Sequence, residues 1–351
     1  MIQPRKPGRQ PPPPPPAYIH DLVGACHRSS RTDAHRMAGK SPVSSFAGVL
    51  ALLALGAFML YGVQTLSKGV NSPRPARAVS GSVATLYTAA AGGDIKALTA
   101  ALSGLSPVDL NAPCPTADGG RQGLTALMIA CMDGNDAAVR LLLDAKARTD
   151  ARTEDGRTAL MFAAGWGDAS RVQALIDAGA RVDARTNDGR TALMWAAHRG
   201  DPGSVRALLA AGAGVNETNK WRQTPLMGAA GSGSIEKLTA LLDAGADVRA
   251  ADHRGETALH IAASTDAPPE LLDLLIRRGA VVDAADLDGV TPLMKAAERA
   301  DAEQVKCLLN AGASPLACDK INKWTARDWA SKRDDERGRA VADLLLPDGA
   351  K

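Results

Sequence analysis

Residues 191–201 read TALMWAAHRGD and residues 158–168 read TALMFAAGWGD, nearly the same phrase one period of 33 residues apart. Aligned on its threonine, the phrase recurs at Thr125, Thr158, Thr191, Thr224, Thr257, Thr291 and Thr325, in steps of 33, 33, 33, 33, 34 and 34. A degenerate copy, ATLYTAAAGGDIKALTAALSG at 84–104, precedes them. A period of this length predicts a solenoid, because one such unit cannot bury its apolar face alone and must lean on its neighbours. Aromatics make up only 3% of the chain, and Ala and Gly are abundant, so the core is expected to consist of closely packed helices rather than sheet.

Each unit has one grammar. A turn such as Glu154-Asp155-Gly156-Arg157 or Asn187-Asp188-Gly189-Arg190 leads to the threonine, a helix N-cap by type. A first helix of pattern TALMxAA follows, then a Gly-containing break, then a second helix such as SRVQALIDAGA with Val, Leu and Ile on one face. Gly179, Gly212, Gly245, Gly279 and Gly312 stand where a left-handed C-cap residue is needed.

With these residues in place the chain resembles the ankyrin repeats, whose unit carries a D-G turn, a T-P-L-H-x-A-A helix and a G-A-D-V-N-A ending. The matching residues are Thr224-Pro225-Leu226, Thr257-Ala258-Leu259-His260 and Gly245-Ala246-Asp247-Val248. The resemblance covers residues 84–346 and implies an all-α solenoid of helix-turn-helix units that binds a protein partner. Three departures stand out. Met replaces the family's His at 128, 161, 194, 227 and 294, which removes the hydrogen bond that His makes. The turn Lys220-Trp221-Arg222-Gln223 lacks Gly, and the last unit has Arg327 where Leu belongs. The polar run SKRDDERGR at 331–339 suits a terminal unit with a solvated outer side.

Helical angles sort the first helix. Counted from Thr, the Leu at +2 and the Ala at +5 and +6 share one packing face, and +4 points away from it toward an inner concave surface. The +4 column reads Ile129, Phe162, Trp195, Gly228, Ile261, Lys295 and Trp329. Its adjacent Ile129, Phe162 and Trp195 are candidates for contact with a partner, set against half-covered packing residues as the alternative. Trp166, in the break after a first helix, and Trp221, at a turn tip, complete the candidate set, with packing on the adjacent tip as the alternative for Trp221.

The first eighty residues differ. PPPPPP at 11–16 favours an extended polyproline II tail within residues 1–42. Phe46 to Val63 is eighteen residues without a charge, and the apolar stretch extends over 43–66. At 1.5 Å per residue this covers roughly 30 Å or a little more, the hydrocarbon thickness of a bilayer, so a transmembrane helix contacting lipid is expected there. Arg28, Arg31, Arg36 and Lys40 before it, against Lys68, Arg74 and Arg77 after it, place the N-terminus in the cytoplasm by a narrow margin. The rival is a signal peptide cleaved after Ala78, and Met37 offers an alternative start. Residues 67–83 read as a linker and 347–351 as a tail.

Residues 1–42 hold seven Lys/Arg and two Asp/Glu, about +5, while the other 309 hold 34 and 36. This near-neutral body gives no electrostatic case for a nucleic-acid partner. Of five cysteines, Cys131 and Cys307 replace core residues and are expected as buried free thiols, with two disulfides among Cys114, Cys131, Cys307 and Cys318 as the alternative. No nucleophile–base pair, zinc spacing or phosphate loop is present in the sequence, so no enzymatic activity, cofactor, metal or small-molecule substrate is expected. The expected function is a membrane-tethered scaffold, with the Ala/Arg/Gly-rich composition pointing to a bacterial inner membrane and a periplasmic repeat array.

Overall fold

The computed structural model describes residues 81–115, 123–166 and 168–346. The expected membrane span at 43–66, the tail at 1–42 and residues 347–351 lie outside them, as does most of the linker. The described residues form eight helix pairs. They are α1 (Gly81–Gly92) with α2 (Ile95–Leu102), α4 (Ala126–Asp133) with α5 (Asp136–Asp144), α6 (Ala159–Trp166) with α7 (Ala169–Asp177), and α8 (Ala192–Arg199) with α9 (Pro202–Ala210). Then follow α10 (Pro225–Gly231) with α11 (Ile235–Asp243), α12 (Ala258–Ala263) with α13 (Pro269–Arg277), α14 (Pro292–Arg299) with α15 (Ala302–Asn310), and α16 (Ala326–Ser331) with α17 (Glu336–Leu344). A short helix, α3 (Pro107–Leu110), joins the first two pairs. Because α1 already begins at Gly81 and buries Val83, the expected linker ends before residue 84.

First helices pack on neighbouring first helices and second helices on neighbouring second helices, giving a two-layered, all-helical solenoid. Among the described residues the only bridge pairing is two isolated contacts, Ala251 with Thr257 and Cys318 with Thr325. The expected core face is buried throughout, for example Leu160, Ala163 and Ala164 in α6 and Leu193, Ala196 and Ala197 in α8. In the last unit Arg327 occupies the Leu position and is exposed, as a terminal repeat requires.

The caps follow the sequence grammar. Thr191 Oγ1 accepts the Met194 N–H at 3.4 Å, and Thr125, Thr224, Thr291 and Thr325 act alike. Second helices begin on Asp168, Asp201 and Asp301, each accepting an N–H of its own first turn. At their ends Gly179 takes φ +81° and lets the Ala180 N–H reach back to the Leu175 carbonyl at 2.9 Å. The loss of the His hydrogen bond is corrected in two units. The Thr224 N–H donates to Met227 Sδ at 3.5 Å and the Thr291 N–H to Met294 Sδ at 3.4 Å. A thioether is a weak acceptor, but it sits where the imidazole nitrogen would.

The turn tips are tied to one another. Asn187 N–H donates to the Asp155 carbonyl at 2.9 Å, Lys220 N–H to Asp188 at 2.9 Å, and His253 N–H to Trp221 at 3.0 Å. Within a tip, Thr186 Oγ1 accepts the Arg190 N–H at 2.9 Å, and Asn219 Oδ1 accepts those of Trp221 and Gln223 at 3.0 and 2.9 Å. These bonds fix where the residue before each helix threonine projects.

A cation-laced aromatic face as candidate functional site

The residue before the helix threonine lies five positions ahead of the +4 residue, and the tip geometry folds one over the other. Arg157 Cζ lies 5.1 Å from the centroid of the Phe162 ring, and Arg190 Cζ lies 5.3 Å from that of Trp195. Each guanidinium is held by its own turn, Arg157 Nε 2.6 Å from Asp155 Oδ2 and Arg190 Nε 3.2 Å from Asp188 Oδ2. Burial works against the Asp155 carboxylate, but the Thr153 hydroxyl and Arg157 outweigh it and hold its pKa below the ordinary value.

From Phe162 the array continues. Trp166, one turn further along α6, lies 5.8 Å from Phe162 and stacks on Trp195 of the next unit at 5.6 Å. Arg199 covers Trp166 at 5.1 Å. Arg190 reaches a second ring, Trp221, at 5.5 Å, and Lys220 Nζ stands 4.4 Å from that same ring. Four aromatic rings and four cations from three consecutive units thus touch in series. Gly165 lies against the same ring, where a Cβ would stand in ordinary contact with the Trp195 Cβ and Cε3 at 3.6 Å.

Of the five candidates, Phe162, Trp166, Trp195 and Trp221 are brought together, and Ile129 is not part of the array. The outward projection expected for Ile129 and Phe162 is corrected: they are 0% and 2% exposed. First helices are buried over a wider arc than the helical wheel implies, with +1 and +3 covered as well as +2, +5 and +6. Ile129, on α4 between α1 and α6, is closed over entirely, and Phe162 lies beneath Arg157 and beside Trp166. Trp166, Trp195 and Trp221 are half-buried, and Trp195 Nε1 is shielded from solvent with no acceptor. The cations Arg157, Arg190, Arg199 and Lys220 went unnoticed in the sequence. Their signal was the five-residue spacing from Arg157 to Phe162 and from Arg190 to Trp195, and the step of one 33-residue period from Trp166 to Arg199.

Beyond Gly228 the column changes character. Lys295 Nζ pairs with Glu256 Oε1 at 2.8 Å, with the two side chains only 18% and 16% exposed. Burial opposes the Glu256 carboxylate, yet the Lys295 hydrogen bond and charge keep its pKa below the ordinary value. Trp329 Nε1 donates to Asp319 Oδ2 at 3.0 Å, and Lys332 Nζ lies 3.5 Å from the Trp329 centroid.

The alternative of two disulfides is overturned, for Cys131, Cys307 and Cys318 form no disulfide. Burial pushes the Cys131 thiol up to about 12, so it is an inert core residue. Cys307 is half-buried, and its Sγ lies 3.5 Å from the Pro269 carbonyl. Among the described residues no three His, Cys, Asp or Glu side chains are grouped to hold a metal ion, and no helix is long and apolar enough to cross a membrane.

The family model described as ankyrin repeats (3 copies) matches the chain in overlapping windows at 86–186, 141–219, 167–252, 193–286 and 259–351. Comparison with curated proteins gives no match.

Proposed function

This chain belongs to the ankyrin-repeat family, a class of protein–protein interaction modules, and from that premise we propose that it binds its partner through the face running from Arg157 to Lys220, tethered to a membrane by residues 43–66. The observation that carries the reading is the Trp166–Trp195–Arg190–Trp221 series. Half-buried Trp rings and the Arg side chains stacked on them are the residue types that dominate binding energy at interfaces. No chemistry is assigned to the face, and its role is to hold a protein in place.

The tether rests on the uncharged run from Phe46 to Val63 and the linker after it. The charge balance across that run supports a cytoplasmic N-terminus and a periplasmic repeat array in a bacterial inner membrane. Ala76-Arg77-Ala78 supports a second reading, in which cleavage releases the array to act on external partners.

The binding test replaces Trp195 and Trp221 by Ala together in the full chain. Partner capture is expected to drop while the melting temperature holds. A parallel loss of both would make the rings structural and sink the reading. Alkaline phosphatase and fluorescent-protein fusions at residue 80 test the tether's orientation: a fluorescent fusion with an inactive phosphatase would put the repeats in the cytoplasm.

A further inference from the structure

We propose that the aromatic face takes an acidic, extended segment of a protein partner, with its carboxylates set against Arg199, Lys220 and Arg222. The inference rests on the reading of this face as the interaction surface and adds the chemistry of what it binds. The cations here fall into two groups. Arg157 and Arg190 already have carboxylates, Asp155 and Asp188, on their own turns. Arg199, Lys220 and Arg222 are exposed, and none has a carboxylate partner among the described residues.

The C-terminal half of the same layer is different. Lys295 is neutralised by Glu256, Arg299 by Asp266 and Lys332 by Glu298. Arg254, Lys320 and Lys323 are also exposed without an ion pair among the described residues. The exposed cations that both lie over a half-buried ring and lack a carboxylate are Arg199 and Lys220, whereas Lys332 over Trp324 and Trp329 has Glu298. Arg199 stacked on Trp166 and Lys220 over Trp221 are restrained before any ligand arrives, so less side-chain freedom is lost when a carboxylate binds. A guanidinium lying on a ring keeps its in-plane N–H donors free, the geometry in which Arg grips a carboxylate. Gly228 interrupts the +4 column, which has no side chain there, and a Cβ would come into ordinary contact with His198 and Ala197 at 3.4–3.6 Å. An extended chain can follow the rings past that gap.

The test uses the full chain in neutral detergent and a fluorescently labelled poly-L-glutamate, read by anisotropy. Comparators of equal length are a neutral Gly-Ser peptide and oligothymidylate, together with vesicles containing phosphatidylglycerol. Polyglutamate is expected to bind, and R199Q/K220Q/R222Q to weaken it about tenfold or more. R140Q/R206Q, which removes exposed charge from second helices, is expected to leave binding unchanged. The charge-keeping R199K/R222K is expected to bind more weakly than the parent and more tightly than the triple variant, because Lys keeps the charge and loses the stacked fork. Polyglutamate binding no tighter than the Gly-Ser peptide overturns the proposal, and so does equal loss in R140Q/R206Q. Tighter binding of oligothymidylate or of the vesicles through the same three residues also overturns it, in favour of a nucleic acid or a lipid surface. If the probe fails while the Trp195/Trp221 double variant still loses its captured protein, the interaction face stands and only its acidic ligand falls. If the double variant keeps its catch, the face itself falls.

Discussion

His260 Nε2 lies 3.0 Å from the carbonyl of Val290 in the following unit, while its Nδ1 receives the Thr257 N–H at 3.2 Å. One neutral ring, with its proton on Nε2, thus caps its own helix and ties two units together. The ring is fully buried, and burial lowers its pKa below the ordinary 6.5, the Val290 carbonyl only partly opposing. Folding therefore favours the neutral form. Above pH about 6.5 both states are neutral and the contribution is complete. As the pH falls below that value the unfolded chain takes up a proton that the folded chain resists, and stability declines until the folded ring also titrates. In His260→Met, which installs the residue other units use, this decline is expected to vanish. Urea unfolding of the two chains between pH 5 and 8, values chosen to bracket an ordinary histidine, should give curves that are parallel above neutrality and diverge below it.

Lys146 sits at φ +64° at the C-cap where Gly179, Gly212, Gly245, Gly279 and Gly312 take +81° to +97°. Lys323, at +61°, occupies the turn position that Gly156, Gly189, Gly255 and Gly289 fill elsewhere. Both side chains are exposed and make no ion pair among the described residues, so nothing offsets the left-handed strain. Lys146→Gly and Lys323→Gly are each expected to stabilise by about 1 kcal/mol, against the entropy Gly adds to the unfolded chain. Thermal melts of the single variants check this, and a lower melting temperature for both would refute the strain argument.

The period, the caps and the core face were legible because every unit repeats them and errors in one copy are corrected by the next. What belongs to a single pair of units was not. The angle of +4 on a helical wheel is correct, but exposure depends on how far neighbouring helices reach, and Ile129 and Phe162 were lost to that. Arg157 and Arg190 looked like turn residues until the tip bonds folded them over the rings. The sulfur contacts of Met227 and Met294 were hidden because a thioether is seldom counted as an acceptor. The partners of Lys237 and Gln304, buried polar residues of second helices, lie 37 to 39 residues earlier, in the break of the preceding unit.

Gly200 illustrates a close approach. A Cβ there would stand 2.1 Å from the Ala164 carbonyl oxygen and 2.9 Å from the Ala196 Cα, both backbone atoms that cannot step aside. Its φ of −75° is ordinary, so the constraint is space and not conformation. Gly200→Ala is expected to destabilise by about 1–3 kcal/mol by forcing α6 and α8 apart. The same displacement should disturb the Trp166–Trp195 stack, so tryptophan fluorescence is expected to shift before the chain unfolds. Unchanged stability would mean that the two units can slide at no cost.

Gln304, on α15, is completely buried and spends its amide on the preceding unit. Nε2 donates to the Thr265 carbonyl at 3.0 Å and to that of Ala267 at 2.7 Å, closing the break between α12 and α13. Lys237 does the same two units earlier in the series, its Nζ 3.3 Å from the Gly200 carbonyl; burial lowers its pKa, with Asp201 pulling the other way. Gln304→Leu keeps the volume and deletes both hydrogen bonds, leaving two carbonyls without that donor. The expected cost is about 2 kcal/mol, the penalty for stranding buried acceptors. Hydrogen exchange locates it: amides of α12 and α13 should lose protection more than those of α6 and α7, because coupling in a solenoid is strongest between nearest neighbours. Uniform loss along the chain, or none, would mean that the amide does not join these units.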